Sequence, residues 1–328
     1  MTFPNRIRVR ALASAALLGL VSLPGAAWAQ EIFPSKTVKF IVPYPPGAST
    51  DSLARAFAQE LAKELKGNVI VENKPGGGTT IGALAVKTLP ADGHALLFQV
   101  DGLYNGKLAA PSVGYEYSDF EILSALAQTP YALVVPASLN IQRLEDLKAH
   151  AAKKNGEIDF GVLGMGANQY SILGRSLSKH LGVTPRMIPY KGGVEGVTAV
   201  MAGEIDAYFA TVGLAHAQKD NPKLKFLALT SDAGKNKFFP SLKSFAELGV
   251  KDMVFKSLYG VAIRSNTPAG IKARLEQAVR KVADSEEMKK VRAQISLEDY
   301  PGSVESYRAE VQRNLQMYQA AQEQEPRR

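Results

Sequence analysis

The sequence predicts an α/β protein assembled from two open-sheet units. Apolar runs of strand length alternate with amphipathic stretches at helical spacing along most of the chain, the pattern that places helices on the faces of a parallel sheet. Glycine-rich turns follow the strands, near residues 47, 77 and 102 in the first unit and near 165 and 192 in the second, and most of them open a helix. Ligands in open α/β sheets sit beyond the carboxyl ends of the strands. Two units facing each other would therefore line one cleft with these turns.

The first 29 of the 328 residues are set aside from the fold. Arg6, Arg8 and Arg10 precede an apolar run from Ala11 to about Leu23, and Ala27-Trp28-Ala29 supplies a small-residue cleavage site before Gln30. This reads as a secretory signal, its apolar run being short for a membrane span, and no other stretch approaches about 18 uninterrupted apolar residues. Its removal lowers the net charge from +8 to +5. The remaining charges are scattered, which argues against a nucleic-acid footprint. The chain has no cysteine, which excludes disulfides, thiolate nucleophiles and cysteine-ligated metals.

Val38 to Val42 is the first strand, and a helix runs from about Asp51 to Lys66. Between them, Pro43-Tyr44-Pro45-Pro46-Gly47-Ala48 holds the turn extended, and Ser49, Thr50 and Asp51 are helix-start residues. A loop that ends in a helix N-terminus is a prepared anion site. Leu53, Phe57, Leu61 and Leu65 recur every four residues on that helix. Val69 to Glu72 is the next strand, then Gly76-Gly77-Gly78-Thr79-Thr80 opens a helix from Ile81 to Leu89, and Ala95 to Val100 is the third strand. Phe120 to Val135 reads as strand, Arg143 to Lys154 as helix and Ile158 to Val162 as strand. The turn at Gly164-Met165-Gly166-Ala167-Asn168-Gln169 opens the helix Tyr170 to Leu181. Strand Arg186 to Pro189 runs into Tyr190-Lys191-Gly192-Gly193 and a helix to about Ala202. Ile205 to Thr211, Leu224 to Thr230 and Leu258 to Ile263 are further strands. Helices follow over Pro268 to Asp284, Glu286 to Gln294 and Ser303 to Ala321, ending in a polar tail from Gln324 to Arg328.

Chemistry-bearing patterns are missing. Gly76-x-Gly78-x-x-x-Gly82 departs from the dinucleotide fingerprint, and no Lys-Ser/Thr follows as a phosphate loop requires. His94, His150, His180 and His216 stand at no metal-binding spacing, so no metal and no cofactor is expected. There is no Gly-x-Ser-x-Gly elbow. Glu145-Asp146 and Glu286-Glu287 lie at helix starts, where dipole complementarity accounts for them. Catalysis is not expected.

The residues from Phe33-Pro34-Ser35-Lys36 through Pro43-Tyr44-Pro45-Pro46-Gly47-Ala48-Ser49-Thr50-Asp51 resemble the start of a Bug-type protein, the solute-binding receptor of a tripartite tricarboxylate transporter. Val71-Glu72-Asn73-Lys74-Pro75-Gly76-Gly77-Gly78, Pro189-Tyr190-Lys191-Gly192-Gly193, Gly203-Glu204-Ile205-Asp206 and Leu227-Ala228-Leu229-Thr230-Ser231 continue the likeness in order. The resemblance implies a two-lobed periplasmic binding-protein fold of type II-like architecture, closing its cleft on a carboxylate. Loops matching 46–51, 165–169 and 191–193 hold the carboxylates in such proteins, partly through backbone amides and water. Ala48, Asn168-Gln169-Tyr170 and Asp101-Gly102 depart from the family pattern inside the expected pocket, so the family's ligand does not transfer by name.

The expected reading is a periplasmic receptor, a monomer, that delivers a small organic carboxylate to the membrane permease of such a transporter. The alternative is an accessory protein presenting its ligand to a sensor kinase. Lobe 1 is expected over 30–127 plus 232–328 and lobe 2 over 128–231. In the pocket, Ser49, Thr50, Thr79, Thr80, Asn168 and Gln169 would give neutral hydrogen bonds. Pro46, Gly166, Gly192 and Gly193 would shape the turns, and Asp51 would orient its loop, cap its helix or hold a bridging water. Tyr44, Tyr170, Tyr190 and Phe209 would supply flat apolar contact. Helix starts in both units favour a ligand with carboxylates at opposite ends, of the terephthalate kind or an aliphatic di- or tricarboxylate.

Overall fold

Val38-Lys39-Phe40-Ile41-Val42 forms strand β1 (Val38–Val42), buried at every position but Lys39, as a strand covered on both faces must be. The computed structural model describes residues 33–47, 49–164, 168–232, 234 and 236–323. The expected signal segment 1–29, Ala48, Gly166 and the tail from Gln324 lie outside the described residues. Helix α1 (Ser49–Leu65) buries its Leu53, Phe57, Leu61 and Leu65 stripe. The chain continues through β2 (Val69–Asn73), α2 (Thr80–Thr88), β3 (Ala95–Gln99) and α3 (Gly102–Ala109). A 17-residue strand, β4 (Phe120–Pro136), leads to α4 (Leu144–Ala152), β5 (Glu157–Leu163), α5 (Gln169–Leu181), β6 (Thr184–Tyr190) and α6 (Gly193–Ala202). Next come β7 (Ala207–Thr211), α7 (Val212–His216), β8 (Leu224–Leu229) and β9 (Lys256–Arg264), then α8 (Ala269–Ala283), α9 (Glu286–Gln294) and α10 (Val304–Glu323).

The strands join in the order β2-β1-β3-β9-β4-β7-β5-β6, with β8 also paired to β4. β1 runs parallel to β2 and β3, and β5 runs parallel to β6 and β7. The middle is antiparallel, β9 lying between β3 and β4, and β4 pairing with β7 and β8. The sheet is therefore mixed where local alternation predicts parallel strands, because alternation does not report the direction of a strand that arrives from a remote part of the chain.

β4 changes partners along its length. Phe120 to Pro130 pairs with β9, and from Tyr131 onward the partners are β7 and β8. Pro130 has no N–H to offer the ladder and falls where the partner changes. Beside it the Thr230 hydroxyl accepts from the Tyr131 amide at 2.8 Å and donates to the Phe255 carbonyl at 2.5 Å. One core cluster gathers Phe40, Phe57, Phe98 and Val279; another runs from Leu97 through Tyr131 to Phe160 and Phe209. Each such side chain contributes roughly 1.5–3 kcal/mol by leaving water.

Two helices are absent from the sequence reading. α3 carries Gly102 and Gly106, which lower helix propensity. A Cβ on Gly106 would fall 2.7 Å from the Gly78 carbonyl oxygen and 2.7 Å from Thr80 Cγ2, so the glycine that hides the helix is what lets it touch the turn before α2. α7 is five residues long, too short to show a period.

Candidate functional site

A cavity of about 700 Å3 lies where β1, β2, β3, β5 and β6 end, within the size range of small-molecule sites. Pro43, Tyr44 and Pro45 from the turn after β1, and Pro75, Gly76, Gly78 and Thr79 from the turn after β2, form part of its wall. Gly102 and Asn105 of α3 adjoin them. Across the cavity stand Leu163 at the end of β5 and Gly164 after it, Asn168, Gln169 and Tyr170 at the start of α5, Pro189 and Tyr190 at the end of β6, and Lys191 and Glu195 around the start of α6.

The turn after β1 is held from below by Asp51. Its carboxylate, 4% exposed, accepts from the Gly47 amide at 3.0 Å, Arg55 Nε at 2.9 Å and Asn73 Nδ2 at 2.9 Å, and Asn73 Nδ2 also donates to the Tyr44 carbonyl at 3.0 Å. Burial works to raise the Asp51 carboxyl, but the bonds from Arg55, Gly47 and Asn73 outweigh it and hold it below the usual range. Gly47 sits at φ +89, where an L side chain is strained. Asp51 thus orients the loop from outside the cavity wall.

The start of α5 is built by Asn168. Its Oδ1 accepts from the amides of Tyr170 and Ser171, both at 3.1 Å, and its Nδ2 donates to the Leu163 carbonyl at 3.0 Å. This is an N-cap, and it turns both ends of the amide into the protein. Gln169 Oε1 accepts from Asn105 Nδ2 at 2.8 Å, a hydrogen bond between α5 and α3 at the cavity wall. Tyr170 lies 5.6 Å from Tyr208 in a stacked pair and 5.5 Å from Tyr131 edge-on. Burial pushes the phenols of Tyr44 and Tyr170 far above their ordinary value, so both are neutral hydroxyls. At the start of α6, the Lys191 amide donates to Glu195 Oε2 at 3.0 Å, so a carboxylate of the chain already engages that turn.

Of the residues singled out in the sequence, Tyr44, Thr79, Asn168, Gln169 and Tyr190 come together on the cavity wall, with Tyr170 and Lys191. Thr80 does not; its hydroxyl donates to the Gly77 carbonyl at 2.8 Å. Phe209 is 0% exposed and lies against Phe160 and Phe245 in the core, on a strand buried on both faces from Ala207 to Ala210. Pro46, Thr50, Gly192 and Gly193 flank the cavity without lining it, and the Ser49 side chain lies outside the described residues. Asn105 and Glu195 were not anticipated. The first lies on the unread α3; the second is an acidic residue in the first turn of α6, a signal legible as a helix start.

No catalytic constellation gathers here. His150 contacts Asp206 at 2.8 Å and His216 contacts Ser296 at 3.0 Å, both away from the cavity wall, and among the described residues no three acidic or histidine side chains cluster as metal ligands. A mixed sheet with one cavity wall drawn from each end suits a protein that holds a small solute between two walls. The chain belongs to the family described as "Tripartite tricarboxylate transporter family receptor", whose profile matches residues 53–324. This is a family of receptors rather than enzymes. Protein BugT of Bordetella pertussis is 30% identical over 260 residues, 78% of each chain. The solved periplasmic binding protein BugD is 26% identical and superposes with a TM-score of 0.70, covering 88% of this chain and 97% of its own. An R. palustris protein solved with adipate superposes at 0.75 over 88% and 97% of the two chains; its 23% identity attests the shared fold. The resemblance read from the Pro43–Asp51 and Pro189–Gly193 stretches is thus membership.

Proposed function

We propose that the chain is exported by its first 29 residues, captures a small dicarboxylate in the periplasm and delivers it to the permease of a tripartite tricarboxylate transporter. The observation that carries this reading is the cavity wall. Tyr44, Tyr170, Tyr190 and several prolines give flat apolar faces, while turns opening α2, α3 and α5 supply polar groups from opposite sides. Lys191 and Glu195 are its charged members, and no arginine lines it among the described residues. Carboxylates are then met by amides and hydroxyls rather than by bidentate guanidinium forks. The partner change along β4 near Pro130 and the return near Thr230 support lobes over 30–127 plus 232–328 and over 128–231, closing on the ligand between them.

The flat walls favour an aromatic dicarboxylate of the terephthalate kind. Calorimetry of the mature chain with terephthalate, benzoate, adipate, succinate and citrate tests it. Terephthalate is expected to bind and benzoate to bind far more weakly, since one end of the site goes unused. Tight succinate or citrate binding without any aromatic acid removes the aromatic reading. Binding of none of the five removes the dicarboxylate receptor.

A further inference from the structure

Thr79, on the cavity wall, holds a backbone conformation that its residue type disfavours. It follows three glycines at positive φ, Gly76, Gly77 and Gly78, and itself sits at φ +83. For those glycines the left-handed region is free, but for a β-branched residue it is a genuine outlier, a strain that glycine would avoid. The side chain is 8% exposed, and its hydroxyl finds no hydrogen-bond partner among the described residues. It does not cap α2, although it occupies the N-cap position. Instead it lies over the start of α3: a Cβ built on Gly102 would fall 2.4 Å from Thr79 Cγ2 and 2.8 Å from Thr79 Oγ1. Thr79 and Gly102 both line the cavity.

A strained backbone and an unpaired buried hydroxyl each destabilise the chain. Both act at one residue, against a helix N-terminus that favours oxygen ligands. Glycine at the same position would remove both. We propose that Thr79 is a specificity-determining residue, its hydroxyl donating a hydrogen bond to a ligand oxygen seated over the first turn of α3. Gly102, lacking a side chain, leaves the space that oxygen needs. This rests on the receptor reading above and assigns one end of the ligand to the α2–α3 corner of the cavity.

The test measures affinity by calorimetry, and ligand-free melting, for the mature wild type, Thr79→Ser, Thr79→Gly and Thr79→Val, using terephthalate and adipate. Thr79→Ser keeps the hydroxyl and should bind within about twofold of wild type. Thr79→Gly and Thr79→Val should each bind about tenfold more weakly, the loss of one hydrogen bond. The ligand-free melting temperature of Thr79→Gly should be no lower than that of wild type, because its backbone is relieved. Undiminished binding by Thr79→Gly, equal losses in Thr79→Ser and Thr79→Gly, or a large fall in Thr79→Gly melting temperature would each overturn the assignment. If neither acid binds wild type, this assignment falls; the receptor reading falls with it only if benzoate, succinate and citrate fail to bind as well.

Discussion

Asp101 occupies the N-cap position of α3 but makes no capping bond with its side chain. Its carboxyl, 2% exposed, accepts from Ser257 Oγ at 2.5 Å. Burial pushes it up to about 7, opposed by bonds from Ser257, Asn314 and the Leu258 amide, with Glu310 adding to the rise. The phenols of Tyr44, Tyr104, Tyr131, Tyr259, Tyr307 and Tyr318 feel its charge, and no cation among the described residues offsets its rise. A carboxyl raised in the folded state binds more protons there than in the unfolded chain, so stability falls as pH rises from about 4 through 7, by at most about 1.4 kcal/mol per pH unit. Urea melts at pH 5 and pH 8 should show this loss in wild type and a smaller one in Asp101→Asn; identical pH profiles would place the carboxyl elsewhere on the scale. Neither the burial nor these phenols are legible in Val100-Asp101-Gly102, because all but Tyr104 arrive from remote elements, the turn after β1, β4, β9 and α10.

At the scale of the element, helix starts are what the sequence shows best, and α6 offers the cleanest test of their role. Gly192 is its N-cap, extended at φ −156, and a Cβ there meets nothing within 4 Å. Gly193 is tighter, since a Cβ would lie 3.1 Å from Leu214 Cδ2. An aspartate is therefore better placed at 192, where it caps the helix and is at worst neutral to stability. Its carboxylate would occupy first-turn amides and repel an anion. Gly192→Asp should keep the wild-type melting temperature and weaken dicarboxylate binding at least tenfold; unchanged affinity would remove the α6 start from the site. The α1, α5 and α6 starts are readable from Ser49-Thr50-Asp51, Asn168 and Gly192-Gly193. The α3 start is not, because Gly106 serves a contact with Gly78 that only the folded chain makes.

Across the whole molecule, α3 and α5 touch through the Asn105–Gln169 hydrogen bond, one partner in each expected lobe. Such a bond favours the arrangement in which the two walls approach, by about 0.5–1.5 kcal/mol. Gln169→Ala should shift the population toward a wider arrangement, since its differential energy is lost. Small-angle scattering is then expected to show a larger radius of gyration for ligand-free Gln169→Ala than for wild type, and convergence when terephthalate or adipate saturates both. Equal radii without ligand would mean that the bond does not govern closure.

The sequence by itself determined the strand and helix alternation, the positions of the glycine-rich turns, the helix caps and the family, because each is written in residues close together along the chain. Hydrophobic periodicity, proline and glycine act locally, and so does the cap chemistry of Asn168. Tertiary structure alone decided the antiparallel insertion of β9 between β3 and β4 and the burial of Phe209 away from the cavity. It also decided the left-handed strain at Thr79 and the proximity of Asp101 to its phenols. These depend on which distant segments meet, and the free energy that selects those meetings is burial summed over the whole core rather than any preference of the residues concerned.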